Sequence, residues 1–342
     1  MRDFSKPKQS AMKKFFKITG YLLGVVVLVI AGLVGYIAYF LPNTGTPPNL
    51  SVDLTTKRVE RGHYLANSVM LCMDCHSTRD WSLFAGPPKP GTLGVGGEHF
   101  NRDMGFPGDV YSRNITPSHL KDWTDGELYR AITTGVSKDG SAIFPLMPYK
   151  YYGKMDPEDI YSVIAYLRTL EPIASENKKT QLDFPVNLLI NLDPQKAAPV
   201  TRPDPKDSVS YGAYMVNAAG CAECHSPVDN TAKVIAGKEF TGGREFKMPG
   251  GLLRTPNITP DRETGIGTWD ATTFVNRFKM YADSSYKPKK IQMGEFNSIM
   301  PWVMYAQMTE SDIRAMFAYL RTLQPVKNSI ERYVPNNAVS KN

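Results

Sequence analysis

The pattern of apolar and polar positions divides the chain into one long apolar run and a remainder of amphipathic segments. From Ile18 to Leu41, 24 residues pass without a charge. At about 1.5 Å per residue a helix of that length reaches roughly 36 Å, enough to cross a hydrocarbon core of about 30 Å with some tilt. Arg2, Lys6, Lys8, Lys13, Lys14 and Lys17 precede the run, and no basic residue follows it until Lys57. The positive-inside bias therefore predicts a cytoplasmic basic segment over residues 1–17, a transmembrane helix over 18–41 and export of everything beyond. A cleaved signal peptide has a shorter apolar core and a small-residue cleavage site. Here the run ends in Tyr39-Phe40-Leu41-Pro42 with no Ala-x-Ala pattern, which favours a retained anchor.

Beyond residue 55 the apolar spacing is helical, and it occurs twice. Trp123, Leu128 and Ile132 suit one helical face, as do Trp269, Phe274 and Phe278. Two further helices begin at Asp156-Pro157-Glu158-Asp159 and Thr309-Glu310-Ser311-Asp312, and stop before Pro172 and Pro325. Met147–Pro172 aligns without gaps on Met300–Pro325 at a constant offset of 153, with Tyr152 meeting Tyr305 and Ala-Tyr-Leu-Arg-Thr-Leu recurring at 165–170 and 318–323. Asn-Ile-Thr-Pro recurs at 114–117 and 257–260. No segment alternates with period two over a useful length, so the expected fold is all-α. It comprises a tether (42–55), one domain at 56–172, a linker (173–207), a second domain at 208–325 and a surface tail (326–342). The linker holds an apolar island, Phe184–Leu192, too short to span a bilayer and too apolar to hang free, which is expected to pack along the domain surfaces.

Charge adds little. Of the 40 Lys and Arg and 33 Asp and Glu, six basic residues and one acidic residue lie in residues 1–17, leaving 34 against 32 and a net of +2 for the exported part. The high pI reflects topology, and no nucleic-acid partner is expected.

All four cysteines fall in two copies of Cys-x-x-Cys-His, Cys72–His76 and Cys221–His225, offset by 149. Two thiols a helical turn apart can each add to one vinyl group of the same porphyrin, and the histidine that follows can bind its iron. A bare Cys-x-x-Cys also suits a thioredoxin-like pair or half a zinc site, but the trailing histidine occurs both times and no cysteine is left over. The expectation is two covalently attached haem c groups, with Cys72, Cys75, His76, Cys221, Cys224 and His225 as their attachment and ligand residues. A simple electron carrier needs a sixth ligand. Met147 and Met300 each precede a proline, stand just before a final helix and share the repeat offset, so the expected iron pairs are His76 with Met147 and His225 with Met300. Bis-histidine ligation through His63, His99 or His119 has no counterpart in the second half, whose one histidine is His225. Trp123 and Trp269 are either core aromatics or indole donors to haem propionates. Asn114 and Asn257 carry the same two readings, and Arg113 and Arg254 beside them are candidate propionate partners. Outside the haem motifs there is no cysteine nucleophile, Ser/His/Asp arrangement or Gly-rich phosphate loop.

With these motifs over residues 58–325, and Gly265-Ile266-Gly267-Thr268-Trp269 among them, the chain resembles the class I cytochromes c. More closely it resembles the membrane-associated cytochrome subunits of bacterial alcohol and gluconate dehydrogenases. The resemblance implies two tandem cytochrome c domains on the periplasmic side of a bacterial inner membrane. It implies electron transfer, not catalysis, between a dehydrogenase or other respiratory donor and an acceptor, with redox proteins and membrane lipid as partners. Such subunits typically carry three haem motifs where this chain has two and an N-terminal anchor, so a general respiratory-chain role fits equally. A dihaem peroxidase or thiosulfate-oxidising enzyme is the alternative and requires one iron with a labile ligand. Intact-mass measurement of the purified protein checks the anchor: residues 18–41 are expected to be retained, and a product beginning near residue 42 refutes this.

Overall fold

The computed structural model describes residues 6–336 except 177 and 284. The first five residues of the basic segment and the last six of the tail lie outside the described residues. A single helix runs over Lys6–Phe40. Its Met12–Phe40 portion is long and apolar enough to cross a membrane, with mean hydropathy 2.5, and no part of that stretch is buried inside the protein.

The remainder is built on two helix pairs with matching local chemistry. In the first half, Thr56–Tyr64 packs on Pro157–Thr169; in the second, Ser208–Ala218 packs on Glu310–Leu320. Each helix starts where its cap dictates. Thr55, Asp156, Asp207 and Thr309 each accept a hydrogen bond from a backbone N–H of the first turn. Each pair crosses at a glycine. A Cβ on Gly62 would lie 1.8 Å from the Ser162 carbonyl oxygen, and one on Gly212 would lie 1.9 Å from that of Ala315. Both crossings are therefore backbone against backbone. Ten positions separate Gly62 from Cys72 but nine separate Gly212 from Cys221. The additional residue is taken up by a π-helical turn at Leu65–Val69, where the second half continues as regular α-helix.

The tryptophan-led segments form helices Asp125–Thr134, with a capping box between Thr124 and Glu127, and Ala271–Lys279, capped by Asp270. Leu128, Ile132, Phe274 and Phe278 are buried on them as expected. The core is one contiguous cluster, joining Leu65, Met73, Ile160 and Ile164 of the first half to Met215, Met308, Ile313 and Leu320 of the second.

The all-α expectation needs correction, because the described residues include two three-stranded antiparallel sheets. The first, β1 (His99–Phe100), β2 (Gly108–Tyr111) and β3 (Gln181–Leu182), draws its third strand from the linker. The second, β4 (Glu245–Met248), β5 (Gly251–Arg254) and β6 (Tyr333–Pro335), draws its third from the tail. Strands of two to four residues are shorter than the stretch over which period-two alternation becomes visible. They sit in the loop-rich stretches after each histidine, and linker and tail are held down by backbone pairing.

The halves meet through reciprocal contacts. The Tyr64 hydroxyl donates to Asp312 and accepts from the Thr309 backbone N–H at 3.1 Å. In mirror fashion the Tyr214 hydroxyl donates to Asp159 at 2.7 Å and accepts from the Asp156 N–H at 3.2 Å. Both carboxylates are buried. Their support differs: Asp159 also takes a bidentate pair from Arg61 at 2.9 Å and Arg202 at 2.6 Å, whereas no cation pairs with Asp312 among the described residues. Burial alone would raise the Asp159 pKa, but these donors outweigh it and hold it below the usual carboxylate value. A second contact joins loops: Phe84 N–H donates to Lys289 O at 2.7 Å, Ile291 N–H to Ser82 O at 2.9 Å, and Ala85 N–H to Asn297 Oδ1 at 2.8 Å.

This asymmetry sets an expectation. Tyr64→Phe removes the donor of a carboxylate without a cation and should cost about 1–3 kcal/mol, whereas Tyr214→Phe should cost less because Arg61 and Arg202 remain. Denaturant unfolding of the two variants checks the order, and equal losses would contradict it. Because the folded Asp159 pKa is depressed, its contribution to stability is full above the ordinary aspartate value near 3.9 and fades as pH falls through the lower folded value. Asp159→Asn should flatten that acid limb of the unfolding curve.

Candidate functional site

Each Cys-x-x-Cys-His segment is a single helical turn entered by a left-handed residue. Leu71 (φ 58°) precedes Cys72–Cys75 and Gly220 (φ 62°) precedes Cys221–Cys224. Glycine adopts that conformation freely and leucine does not, so the first half carries local strain at Leu71. The turn closes with the histidine N–H on the first cysteine's carbonyl, His76 to Cys72 at 2.8 Å and His225 to Cys221 at 2.9 Å. The two thiols and the imidazole of each motif therefore follow one another along one turn.

All four thiols are free and half-buried. Burial pushes Cys72, Cys75 and Cys221 up to about 12 and Cys224 to about 11. These are neutral thiols in an apolar setting. A zinc site or a redox-active cysteine pair relies on accessible thiolate, and no cluster of three or more His, Cys, Asp or Glu suited to a metal ion occurs among the described residues. The donor set does fit haem c, which needs two adjacent thiols and a neutral imidazole.

The imidazoles are set in the ligand-ready state. His76 Nδ1 lies 2.7 Å from the Arg113 carbonyl oxygen, and His225 Nδ1 lies 3.0 Å from that of Pro256. A carbonyl can only accept, so Nδ1 carries the proton and the Nε2 lone pair is left free for iron. Burial lowers both histidine pKa values, partly opposed by these hydrogen bonds, which keeps the rings neutral.

Those carbonyls are held by the Asn-Ile-Thr-Pro turns that follow them. Asn114 Oδ1 accepts from Thr116 N–H at 2.8 Å while Nδ2 donates to Ile173 O at 2.7 Å; Asn257 does the same with Thr259 at 2.9 Å and Val326 O at 2.7 Å. Each asparagine is buried and clamps the histidine's carbonyl partner to the chain leaving the final helix. Arg113 enters through its backbone, and its side chain is exposed. Arg254 stands two residues before the position that matches Arg113; its guanidinium is paired with Glu245 at 2.8 Å.

Met147 and Met300 adopt the same local geometry. Tyr149 N–H returns to Met147 O and Trp302 N–H to Met300 O, both at 2.8 Å, across prolines at φ −81°, ψ 49° and φ −78°, ψ 67°. This is an inverse γ-turn, which proline's fixed φ favours. One tyrosine then staples each methionine loop to the segment entering its cysteine turn: Tyr152 Oη donates to Met70 O at 2.6 Å, and Tyr305 Oη to Ala219 O at 2.7 Å. Sequence reasoning aligned these tyrosines in the repeat without assigning them a role. Trp123 and Trp269 are half-buried against the core, as are Cys72, Met147, Cys221 and Met300. Arg168 donates to Trp123 O, and Arg321 to Gly267 O at 2.8 Å, so the repeated Leu-Arg-Thr-Leu arginines hold the tryptophan loops. Neither indole N–H has a protein partner among the described residues.

Of the three remaining histidines, His119 lies near Arg113, whose charge adds to burial in lowering its pKa, and the other two stand apart. His99 bonds Asp109 at 2.8 Å and stacks on Tyr111, and His63 packs edge-on against Tyr166. Both motifs carry an acid before the second cysteine. Asp74 pairs with Arg79 at 3.2 Å and Glu223 with Arg244 at 2.5 Å.

Comparison with known proteins agrees with this geometry. Residues 209–324 match the family model for cytochrome c. The fructose dehydrogenase cytochrome subunit of Gluconobacter japonicus is 30% identical over 296 residues, 81% of this chain and 55% of that protein. The cytochrome c subunit of the quinone-type alcohol dehydrogenase of Gluconacetobacter polyoxogenes is 25% identical over 309 residues, 84% of this chain and 61% of its own length. A diheme cytochrome c-type protein of Cereibacter sphaeroides is 26% identical over 316 residues, 89% of this chain and 98% of its own. The chain thus spans little more than half the length of the dehydrogenase subunits it matches. Residues 209–324 are a cytochrome c domain, and the chain is a relative of the cytochrome c subunits of fructose, alcohol and gluconate dehydrogenases.

Proposed function

We propose that the chain is a membrane-anchored dihaem c-type cytochrome. It would carry electrons from a periplasmic or membrane donor to a respiratory acceptor as a subunit of a larger complex. Residues 56–172 and 208–325 are its two haem domains, and Ile18–Leu41 is its span. Bound haem supplies a one-electron ferric/ferrous couple. The chain supplies the rest: Cys72 and Cys75, then Cys221 and Cys224, provide the thioether links. His76 and His225 present Nε2 because a carbonyl holds the proton on Nδ1. Met147 and Met300 serve as second ligands on loops stiffened by proline and stapled by Tyr152 and Tyr305, and the unpartnered indole N–H groups of Trp123 and Trp269 serve propionates.

The observation that carries this reading is the duplication of the whole arrangement: carbonyl-bound imidazole, asparagine clamp, methionine γ-turn and tyrosine staple recur in both halves. The dehydrogenase relatives support a fixed place in a complex; a mobile carrier would bury much less surface on its partner. Thioether ligation favours a relatively high reduction potential.

In the oxidised protein, Met147→Ala and Met300→Ala should each remove about half of the near-infrared Met-to-iron charge-transfer band; if neither weakens it, the ligand choice is wrong. Tyr152→Phe and Tyr305→Phe should weaken the same band without abolishing haem attachment. Gentle detergent purification from native membranes should recover stoichiometric partner chains. An isolated protein with high peroxidase turnover and a five-coordinate iron would overturn the electron-carrier reading.

A further inference from the structure

The linker island presents apolar side chains to solvent. Phe184 is 80% exposed, Leu189 45% and Leu192 56%. From Phe184 to Leu192 there is no charge, and the charges at either end are turned back onto the protein. Asp183 pairs with Arg102 at 2.7 Å, while Asp193 pairs with Lys150 at 2.6 Å and accepts from the Tyr149 hydroxyl. The segment is compact, a helical turn at Val186–Leu189 running into a 3-10 turn at Ile190–Leu192. A segment pinned at both ends and left greasy between them is shaped for an apolar surface outside the chain.

Its position says which surface. The island packs against the C-terminal end of the Lys6–Phe40 helix, and Asn191 Nδ2 donates to the Ile37 carbonyl at 3.3 Å. Ile37 stands three residues, about 4.5 Å, before that helix ends at Phe40. If a span of roughly 36 Å brackets a core of about 30 Å, this is the depth at which hydrocarbon gives way to headgroups. Tyr39 and Phe40 beside it are 87% and 69% exposed, the aromatic pattern of an interfacial belt.

From this placement we propose that residues 184–192 form an interfacial wedge. Phe184, Leu189 and Leu192 insert at the headgroup/acyl boundary of the outer leaflet and seat the first half against the bilayer. The inference rests on the reading of residues 18–41 as a membrane span. It has a consequence for the redox site: Asp193 ties the wedge to Tyr149 and Lys150, two and three residues after Met147, so the loop bearing the proposed ligand of the first haem lies on the membrane side of the protein.

The test uses the full chain in vesicles of phosphatidylethanolamine and phosphatidylglycerol. A 4-benzoylphenylalanine is placed at Phe184 in one preparation and at Val26 in a control, with an unaltered Soret band required of both. After irradiation, phospholipid adducts by mass spectrometry are expected at both positions. Lipid adducts at Val26 without any at Phe184 overturn the wedge and leave the anchor standing; none at either position overturns both. In native membranes, a Phe184 adduct to a protein chain in place of lipid assigns the surface to a partner subunit and also overturns the proposal.

Discussion

The close crossing of two helices at a glycine is the constraint on which each half depends. With Gly62 against Ser162 and Gly212 against Ala315, backbone meets backbone and neither pair can slide by a turn without a clash. The first helix of each pair delivers the cysteine turn and its histidine, and the second is preceded by the methionine loop and followed by the segment that the asparagine clamps. Fixing the crossing therefore fixes both ends of the site. Hydrogen bonds from Tyr152, Tyr305, Asn114 and Asn257 complete the link between the crossing and the loops. A substitution at either glycine would act on the site without touching it, because even one methyl group has nowhere to go.

The same helices build the contact between halves. Tyr64 follows Gly62 by one exposed position, and Asp159 and Asp312 occupy equivalent places in the first turn of the two final helices. Each tyrosine reaches across to the other half's carboxylate and its N-cap. The two cysteine turns approach closely enough that Cys224 contributes to raising the Cys75 pKa, after burial, Asp74 and Cys72. Reciprocal bonding of this kind follows from duplication: a surface that recognises its own copy needs one set of residues in each half.

Much of the site was legible in the sequence because it is written in short, rigid spacings. Cys-x-x-Cys-His needs one helical turn and Met-Pro one γ-turn, and both survive any uncertainty about the surrounding fold. The repeat located Tyr152, Tyr305, Arg168 and Arg321, but what they bond is decided by the approach of distant segments. Arg113 also contributes an atom that its residue type does not announce. A guanidinium advertises itself by residue type, whereas the carbonyl that orients His76 is common to every residue; the second half accordingly uses Pro256. The sheets were missed for a related reason, since β3 and β6 come from linker and tail and exist only through pairing at long range.

Duplication has given the halves equal donors in unequal surroundings. Beyond Met147 the first half carries Tyr149 and Lys150, both bonded to Asp193 of the linker. At the matching places the second half carries Trp302 and Val303, and Trp302 lies under Arg277 at 4.3 Å and stacks on Tyr281. Reduction potential responds to charge, burial and hydrogen bonding around the ligands as well as to the ligands themselves. The Asp193 carboxylate is balanced by the Lys150 ammonium that it pairs with, whereas the guanidinium over Trp302 stands as a cation beside the second loop. As proposed, the first site is also the one tied to the membrane wedge.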